Sequence, residues 1–199
     1  MRLQVDAQHP QPHKIRRAVE ALRSGGVIAY PTDSTYGIGC DINDKKAIDR
    51  LYDIKRMPKD HPLTLLCYDL SHIATYALVD NPKYRLIRRL IPGPYCFILP
   101  ATREVPKLLM RKRKQVGIRV PGHPVTQALL AELGGPIVST TAAADGETLQ
   151  DPEEIDQRLR GLALILDADR GGLEPSTVVD LTEEEPQIVR YGVGEAQLV

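Results

Sequence analysis

Residues 25–41 read GGVIAYPTDSTYGIGCD and combine a short apolar run with a dense group of polar side chains. The run that ends before Pro31 has the composition of a buried strand. Three hydroxyl groups, from Thr32, Ser34 and Thr35, follow it between a proline and two glycines, which are turn-forming residues. The stretch therefore predicts a strand that leads into a loop with unusual hydrogen-bonding capacity.

The overall composition is that of a globular protein with balanced charge. The chain has 199 residues, of which 42% are hydrophobic, with no tryptophan and one phenylalanine. This length predicts one domain, residues 1–199, with a core built from aliphatic side chains. Lysine and arginine total 26, and aspartate and glutamate total 26, which argues against a nucleic-acid binder held by overall charge.

Positive charge is nevertheless concentrated in two stretches, RLIRRL at residues 85–90 and KLLMRKRKQ at residues 107–115. Such a run is typical of a solvated face, and it also suits a surface that binds an anion or RNA. The sequence leaves both interpretations open.

No pattern in the sequence is typical of a metal site or a membrane segment. Cys40, Cys67 and Cys96 are odd in number, widely spaced and set in apolar runs, which predicts reduced core thiols and no zinc site. The polar N-terminus lacks a signal-peptide pattern, and no apolar stretch approaches membrane-spanning length. We therefore expect a cytoplasmic protein with no membrane partner.

Predicted helices and strands alternate along the chain. Apolar residues recur at helical spacing in residues 12–26, 43–56 and 124–135, whereas short apolar runs such as 95–101 predict strands. Asn43 is the expected N-cap of the second helix. The last strands lack intervening helices, so the pattern predicts an α/β (mixed α+β) fold with one large twisted sheet of mixed direction.

Further polar clusters stand next to other predicted strands. Arg119 lies near the end of VGIRV, Ser139 and Thr141 close PIVSTT, and Ser176 opens STVVD, while Lys55 follows a helix. Because ligands of α/β sheets bind outside the carboxyl ends of strands, the clusters are expected to meet there. Together they predict a pocket for a polyanion, although serine and threonine at strand ends also cap backbone groups.

Several familiar sites are missing from the sequence. It contains no GxxxxGK[ST] phosphate loop, no GxGxxG fingerprint in a strand–turn–helix context and no GxSxG nucleophile elbow. The five histidines form no metal pattern. His61 and His123 each precede a proline in a candidate pocket loop, so these two are the histidines considered for a ligand contact.

Seven blocks, in order, resemble the YrdC family from near Ile15 to Gly194. They are GGVIAYPTDSTYGIGCD, IKRMPKDHPLTLL, PGPYCFIL, VGIRVPGHP, PIVSTTAAADG, PSTVVDL and IVRYGVG. Within the family, DNPKYRLIRRLIPGPYCFIL and REVPKLLMRKRKQVGIRVP are most similar to the YciO branch. The resemblance implies a twisted mixed sheet flanked by helices around a large open cavity.

The resemblance also implies the family reaction, which is the synthesis of threonylcarbamoyl-adenylate (threonylcarbamoyl-AMP). L-Threonine and bicarbonate form a carbamate, which attacks the α-phosphate of ATP and releases pyrophosphate. The product serves the threonylcarbamoylation of adenosine in tRNA. The implied partners are ATP with Mg²⁺ as a substrate complex, L-threonine, bicarbonate, and tRNA or double-stranded RNA, and no bound transition metal is expected.

The resemblance also implies which residues of this sequence occupy the family's site positions. The L-threonine-binding positions correspond to Ser34, Arg119, Ser139 and Ser176, and a bidentate pair with a carboxylate suits the arginine. Lys55 corresponds to the catalytic lysine. The ATP-binding positions correspond to Lys55, Thr141 and Arg190, and His61 is added as an expected ATP contact from its place in a candidate pocket loop.

Three departures from the family pattern fall in the same blocks. Met57 stands where the family has the arginine of its Lys-x-Arg-Pro motif, and Ala143 stands where it has the asparagine of Ser-x-Asn. Arg56 is adjacent but is expected to point elsewhere. Leu66 stands where many members have a histidine near threonine. Each lost polar group at a polyphosphate site predicts a rate roughly a hundredfold lower.

Three functional hypotheses follow from these residues. The first is a threonylcarbamoyl-AMP synthase, with weak or altered activity. The second is a YciO-type protein that binds nucleotide or double-stranded RNA without synthase activity. The third is a related enzyme with another carbamoyl or phosphate substrate, because one fold hosts several chemistries. The retained serines, arginine and lysine favour the first hypothesis.

Overall fold

Twelve strands and six α-helices alternate in the computed structural model, which describes residues 1–109 and 114–195. The strands are β1 (Arg2–Gln4), β2 (Ile28–Tyr30), β3 (Gly37–Asp41), β4 (Thr64–Leu66), β5 (Tyr95–Pro100), β6 (Gln115–Arg119), β7 (Ile137–Thr141), β8 (Ala143–Ala144), β9 (Glu147–Thr148), β10 (Leu164–Asp167), β11 (Thr177–Asp180) and β12 (Gln187–Arg190). The helices are α1 (Pro12–Arg23), α2 (Lys45–Lys55), α3 (Leu70–Tyr76), α4 (Asn81–Leu90), α5 (Pro124–Leu133) and α6 (Pro152–Arg158).

The start of α2 corrects one sequence-based expectation. The N-cap is Asp44, whose carboxylate accepts a hydrogen bond from the backbone N–H of Ala47 at 3.0 Å. Asn43 belongs to the preceding turn, where its own backbone N–H donates to the Asp41 carboxylate at 2.8 Å. The prediction of Asn43 as the cap is therefore wrong, because two neighbouring residues were both suitable caps and only one lay beside the open N–H groups.

Ten of the strands form one mixed sheet in the order β1-β10-β2-β3-β7-β4-β6-β5-β11-β12. The pairs β1–β10, β10–β2, β4–β6 and β5–β11 are parallel, and the remaining neighbours are antiparallel. The fold class predicted from the alternating pattern, a mixed α/β fold with one large sheet, is confirmed. Strands β8 and β9 form a separate hairpin.

Strand β3 was not predicted as a strand, because its sequence GIGCD is short and carries two glycines, which are disfavoured in strands. It lies between β2 and β7 in the middle of the sheet, with Tyr30 opposite Gly37 and Ser139 opposite Gly39. Its neighbours on both sides supply its hydrogen bonds, so its strand conformation is fixed by tertiary pairing.

Two buried clusters occupy opposite faces of the sheet. Successive strand residues point to opposite faces, and accordingly Leu65 belongs to one cluster and Leu66 to the other. The first cluster contains side chains of α2, α3, α4 and α6, and the second contains side chains of α1 and α5. Both clusters are mainly aliphatic, and the three cysteines, all among the described residues, are buried and form no disulfide, as the composition predicted.

Candidate functional site

An open cavity of about 550 Å³ lies on the face of the sheet that carries α1 and α5. Leu66 belongs to the second buried cluster and also lines the cavity. In the sheet register, Leu66 pairs with Arg119 and Thr64 pairs with Ser139. These four side chains therefore share one face, because alternate residues of a strand and their cross-strand partners point the same way.

This arrangement corrects the expectation that the polar clusters meet at the carboxyl ends of strands. Strand β4 is parallel to β6 and antiparallel to β7, so β6 and β7 end at opposite edges of the sheet. Arg119 is the last residue of β6, Ser139 lies in the middle of β7, and Ser176 precedes β11. A mixed sheet has no common carboxyl edge, and the clusters meet across a face instead.

The loop from Pro31 to Thr35 is held by its own hydroxyl groups. The Thr32 hydroxyl donates to the backbone carbonyl of Thr35 at 2.6 Å and accepts from the Ser34 backbone N–H at 3.2 Å. The Thr126 hydroxyl in α5 donates to the carbonyl of Pro31, which ties the loop to the helix. Of the hydroxyl residues that stood out in the sequence, Thr32 and Thr35 line the cavity, and Thr32 also shapes the loop.

Arg119 is the centre of what we term the serine–arginine wall, which comprises Thr32, Asp33, Ser34, Arg119 and Ser139. Arg119 is 7% exposed. Its guanidinium donates to the Ser34 hydroxyl at 2.9 Å and to the Thr32 hydroxyl at 3.4 Å, and it forms an ion pair with Asp33. The other Asp33 carboxylate oxygen accepts from the backbone N–H of Gly122 at 2.9 Å. A buried arginine needs such a partner, as the sequence indicated.

Two serines of the site accept hydrogen bonds from neighbouring side chains. The Tyr30 hydroxyl donates to the Ser139 hydroxyl at 2.6 Å. The Arg190 guanidinium donates to the Ser176 hydroxyl at 3.3 Å and to its backbone carbonyl at 2.8 Å. Arg190 thereby links the edge strand β12 to the start of β11.

A second group of lining residues, which we term the lysine wall, comprises Lys55, Met57, His61 and Ala143. The Lys55 ammonium group donates to the Ala143 backbone carbonyl at 2.5 Å. Burial lowers the pKa of Lys55 to about 8, because the cavity removes water from the charged amine. Lys55 has no ion pair with any described residue, so its charge is uncompensated.

Residues 20–192 match the sequence pattern of the family named Sua5–YciO–YrdC and described as "Telomere recombination". The chain belongs to the Sua5/YciO/YrdC family. The resemblance stated from the sequence blocks is thus confirmed, including its likeness to YciO.

Three relatives illustrate the range of the family. The uncharacterized protein YciO of Escherichia coli K12 is 47% identical over 197 residues, 97% of this chain and 96% of YciO. The threonylcarbamoyl-AMP synthase of Vibrio vulnificus YJ016 is 33% identical over 184 residues, 89% of this chain and 98% of the synthase. A crystal structure of P. abyssi Sua5 complexed with L-threonine has a TM-score of 0.90 and 27% identity, and the match covers 96% of this chain and 57% of Sua5.

The cavity brings together most of the site residues that were expected from the sequence. The lining side chains include seven of them: Lys55, His61, Arg119, Ser139, Thr141, Ser176 and Arg190. Ser34 is 5% exposed and reaches the site through its hydrogen bond to Arg119. His123 does not line the cavity, and its ring accepts from the backbone N–H of Val125 at the start of α5. The roles assigned to these residues remain predictions.

The departures from the family pattern also lie at the cavity. Met57, Leu66 and Ala143 are lining residues. Arg56 is exposed and does not line the cavity, because the backbone adopts a left-handed conformation there, with φ 49°, where α2 ends. The expectation that Arg56 points away from the missing arginine's position agrees with this geometry.

Sequence reasoning did not assign a role to Tyr30 or Asp33. Asp33 was visible as the one carboxylate in a loop of hydroxyls, and Arg119 was already expected to need a partner. Tyr30 looked like an ordinary strand residue, and it is fully buried. Only the pairing of β2, β3 and β7 shows that its hydroxyl reaches Ser139.

The described residues of the two basic stretches do not line the cavity. Arg85 and Arg88 are exposed on α4, and neither lines the cavity. The second stretch begins in the 3-10 turn Lys107–Leu109, and residues 110–113 lie outside the described residues. Within residues 1–109 and 114–195, no helix has the length and apolar character needed to cross a membrane.

Proposed function

We propose that the protein is a threonylcarbamoyl-AMP synthase-like enzyme that forms threonylcarbamoyl-adenylate from L-threonine, bicarbonate and ATP. The observation that carries the proposal is the pairing, in one cavity, of a buried arginine–serine group with an uncompensated lysine. The two walls suit two different anions, a carboxylate and a polyphosphate, held side by side. The volume of about 550 Å³ lies within the range of small-molecule sites.

The chemistry needs both anions in line. The threonine amine adds to bicarbonate, and loss of water leaves a carbamate. A carbamate oxygen then attacks the α-phosphorus of ATP, the bond to the bridging oxygen breaks, and pyrophosphate leaves. Positioning and electrostatic stabilisation supply most of the rate in such phosphoryl-group reactions.

In this proposal the serine–arginine wall and Ser176 bind L-threonine. Arg119 and Ser34 face the substrate carboxylate, and Ser139 and Ser176 supply further hydrogen bonds. The bound L-threonine in the P. abyssi Sua5 crystal structure supports this assignment. Because Asp33 already occupies part of the Arg119 guanidinium, the substrate carboxylate shares the arginine with it.

The lysine wall binds the nucleotide. Lys55 is the proposed catalytic residue and stabilises charge at the phosphates, with His61, Thr141 and Arg190 as further ATP contacts. Mg²⁺ arrives with ATP, held by phosphate oxygens and water, as this ion prefers. Asp145 is the one carboxylate residue among the described lining residues. The product serves tRNA threonylcarbamoylation, and we expect the protein to act in the cytoplasm.

The test is direct detection of the product. Purified protein is incubated with ATP, L-threonine, bicarbonate and Mg²⁺, and threonylcarbamoyl-AMP is measured by mass spectrometry together with pyrophosphate. We expect threonine-dependent product, and we expect Lys55→Ala to lower its rate by roughly a hundredfold. Lys59→Ala is the matched control, because Lys59 is exposed and paired with Asp49. A wild-type protein without product would contradict the proposal.

Met57 and Ala143 favour a second candidate, a nucleotide- or double-stranded RNA-binding protein without synthase activity. Both side chains line the lysine wall without a hydrogen-bonding group. The restoration variant Met57→Arg with Ala143→Asn separates the candidates. Product from this variant, but none from the wild type, would favour the binding protein. RNA binding through exposed cations would then weaken steeply with salt.

A further inference from the structure

The Tyr30 hydroxyl reaches Ser139 by crossing an intervening strand. Tyr30 ends β2, Ser139 lies in β7, and β3 runs between them. Neighbouring strands are about 4.8 Å apart, so the backbones of β2 and β7 are roughly 10 Å apart. The Tyr30 side chain, the 2.6 Å hydrogen bond and the Ser139 side chain together bridge this distance.

Two glycines of β3 create the space for this crossing. A Cβ atom at Gly37 would lie 2.8 Å from the Tyr30 ring, and one at Gly39 would lie 2.7 Å from the Tyr30 hydroxyl. Real Cβ atoms do not approach so closely, so a larger residue at Gly37 would displace the ring, and one at Gly39 would also clash with the Val138 carbonyl at 2.5 Å. The GxG spacing places both glycines on the cavity face of β3, beneath the ring.

The direction of the Tyr30–Ser139 hydrogen bond follows from burial. Tyr30 is 0% exposed, and a buried hydroxyl proton without an acceptor is costly. The Ser139 oxygen is the acceptor within reach, at 2.6 Å. A serine hydroxyl has one proton and two lone pairs. Because one lone pair faces Tyr30, the Ser139 proton is left to donate towards the cavity.

Ser176 is also left to act as a hydrogen-bond donor, for an independent reason. It accepts from the Arg190 guanidinium at 3.3 Å, and a guanidinium has no acceptor. Two serines on the cavity therefore present donors. Such an arrangement suits an oxygen anion and disfavours an ammonium group.

We propose that Tyr30 is a positioning residue that fixes Ser139 as a hydrogen-bond donor to an anionic oxygen of the substrate. The inference that Ser139 donates rests on the geometry of the protein alone. Only the identity of the substrate, a carboxylate of L-threonine, rests on the proposed function. Tyr30 itself does not touch the substrate, because it acts through Ser139.

A thiol placed at Ser139 tests, without any ligand, whether Tyr30 donates a hydrogen bond to the side chain at this position. In a Cys96→Ala background, which removes the other cavity thiol, Ser139→Cys is alkylated with iodoacetamide and the modified site is identified by mass spectrometry. A hydroxyl that donates to the thiolate favours its charged, reactive form. We expect the further substitution Tyr30→Phe to slow alkylation at pH 7.5 by roughly tenfold, which corresponds to a rise of one unit in the pKa of the thiol. An unchanged rate would overturn the proposal.

Tyr36→Phe is the matched control for the thiol experiment. Tyr36 is also 0% exposed, and its hydroxyl donates to the Asp169 carbonyl at 2.8 Å, away from Ser139. We expect this variant to leave the alkylation rate unchanged. A drop equal to that of Tyr30→Phe would show a general loosening of the fold and would overturn the proposal.

Calorimetric measurement of L-threonine binding tests whether the Tyr30–Ser139 hydrogen bond contributes to substrate affinity. We expect Tyr30→Phe to weaken binding by roughly tenfold in the presence of Ser139, and by less than twofold when Ser139→Ala is already present. Equal losses in both backgrounds would contradict a role through Ser139. A wild type that binds no L-threonine would contradict the proposed function, while the thiol experiment would still decide the role of Tyr30.

Discussion

The serine–arginine wall and the lysine wall face the same cavity but differ in how complete they are. In the first, Arg119 and Ser139 are at most 7% exposed and have partners within the protein. In the second, the cation Lys55 contacts only a backbone carbonyl among the described residues, beside Met57 and Ala143. The side chains of the serine–arginine wall are held by the protein itself, whereas the lysine wall carries a charge that has no ion pair with a described residue.

The difference has a physical origin and a functional consequence. Buried charges must be paired within the fold, so the serine–arginine wall is part of the structure that stabilises the protein. The Lys55 ammonium group is only partly buried and donates to one backbone carbonyl, so the side chains around it can change without loss of the fold. Substitutions are therefore tolerated on the lysine wall, where two of the three departures from the family pattern, Met57 and Ala143, lie.

The largest expected effect tests whether the serine–arginine wall supports the fold. Arg119→Ala removes one member of a buried ion pair and leaves Asp33 without its cation, which we expect to lower the free energy of unfolding by about 3 kcal/mol. Urea denaturation measures this change. The double variant with Asp33→Asn should recover part of the loss. A loss below about 1 kcal/mol would remove the contrast between the walls.

The second prediction concerns charge on the lysine wall. Burial lowers the pKa of Lys55 from 10.5 to about 8, so the ammonium group loses its proton as the pH rises through that value. We expect ATP affinity to fall by roughly tenfold between pH 7.5 and pH 9.5, measured by calorimetry. Lys55→Arg should show no such fall, because a guanidinium stays charged. An identical profile for both proteins would contradict the assignment of Lys55 to the phosphates.

The same shift in pKa predicts an opposite trend in stability. Between pH 8 and pH 10.5 the unfolded chain keeps a proton that the folded protein has lost at Lys55. Stability therefore rises with pH in this window, relative to Lys55→Met, because the unfolded state binds more protons. Thermal unfolding of the two proteins at pH 7, 8.5 and 10 measures the difference. A constant difference across this range would show that burial does not perturb Lys55.

The smallest expected effect concerns Arg190, a lining residue that belongs to neither wall. Arg190 is exposed on the edge strand β12 and donates to Ser176. We expect Arg190→Ala to weaken ATP binding by about threefold, because an exposed guanidinium contributes little in water, and to change stability by less than about 1 kcal/mol. Arg170→Ala, another exposed arginine, is the control. An effect as large as that of Arg119→Ala would place Arg190 within the organised wall.

Much of the fold and the membership of the site were predictable from the sequence. The periodicity of residues 12–26 and 124–135 predicted α1 and α5, and the alternation of elements predicted the mixed sheet. Arg119 was recognised as a buried arginine in need of a partner. Three features were missed: Asp44 as a cap, β3 as a strand and the separate β8–β9 hairpin. Each depends on contacts with neighbouring elements.

By itself, the sequence determined which side chains would be available: the hydroxyl-rich loop, Arg119, Lys55, and the substitutions Met57 and Ala143. Only the tertiary structure decided how they meet. Strand direction placed the polar clusters across one face of the sheet, and the order β2-β3-β7 brought Tyr30 over two glycines to Ser139. Local sequence fixes the period of a strand, but cross-strand register and direction are set by the packing of the whole chain.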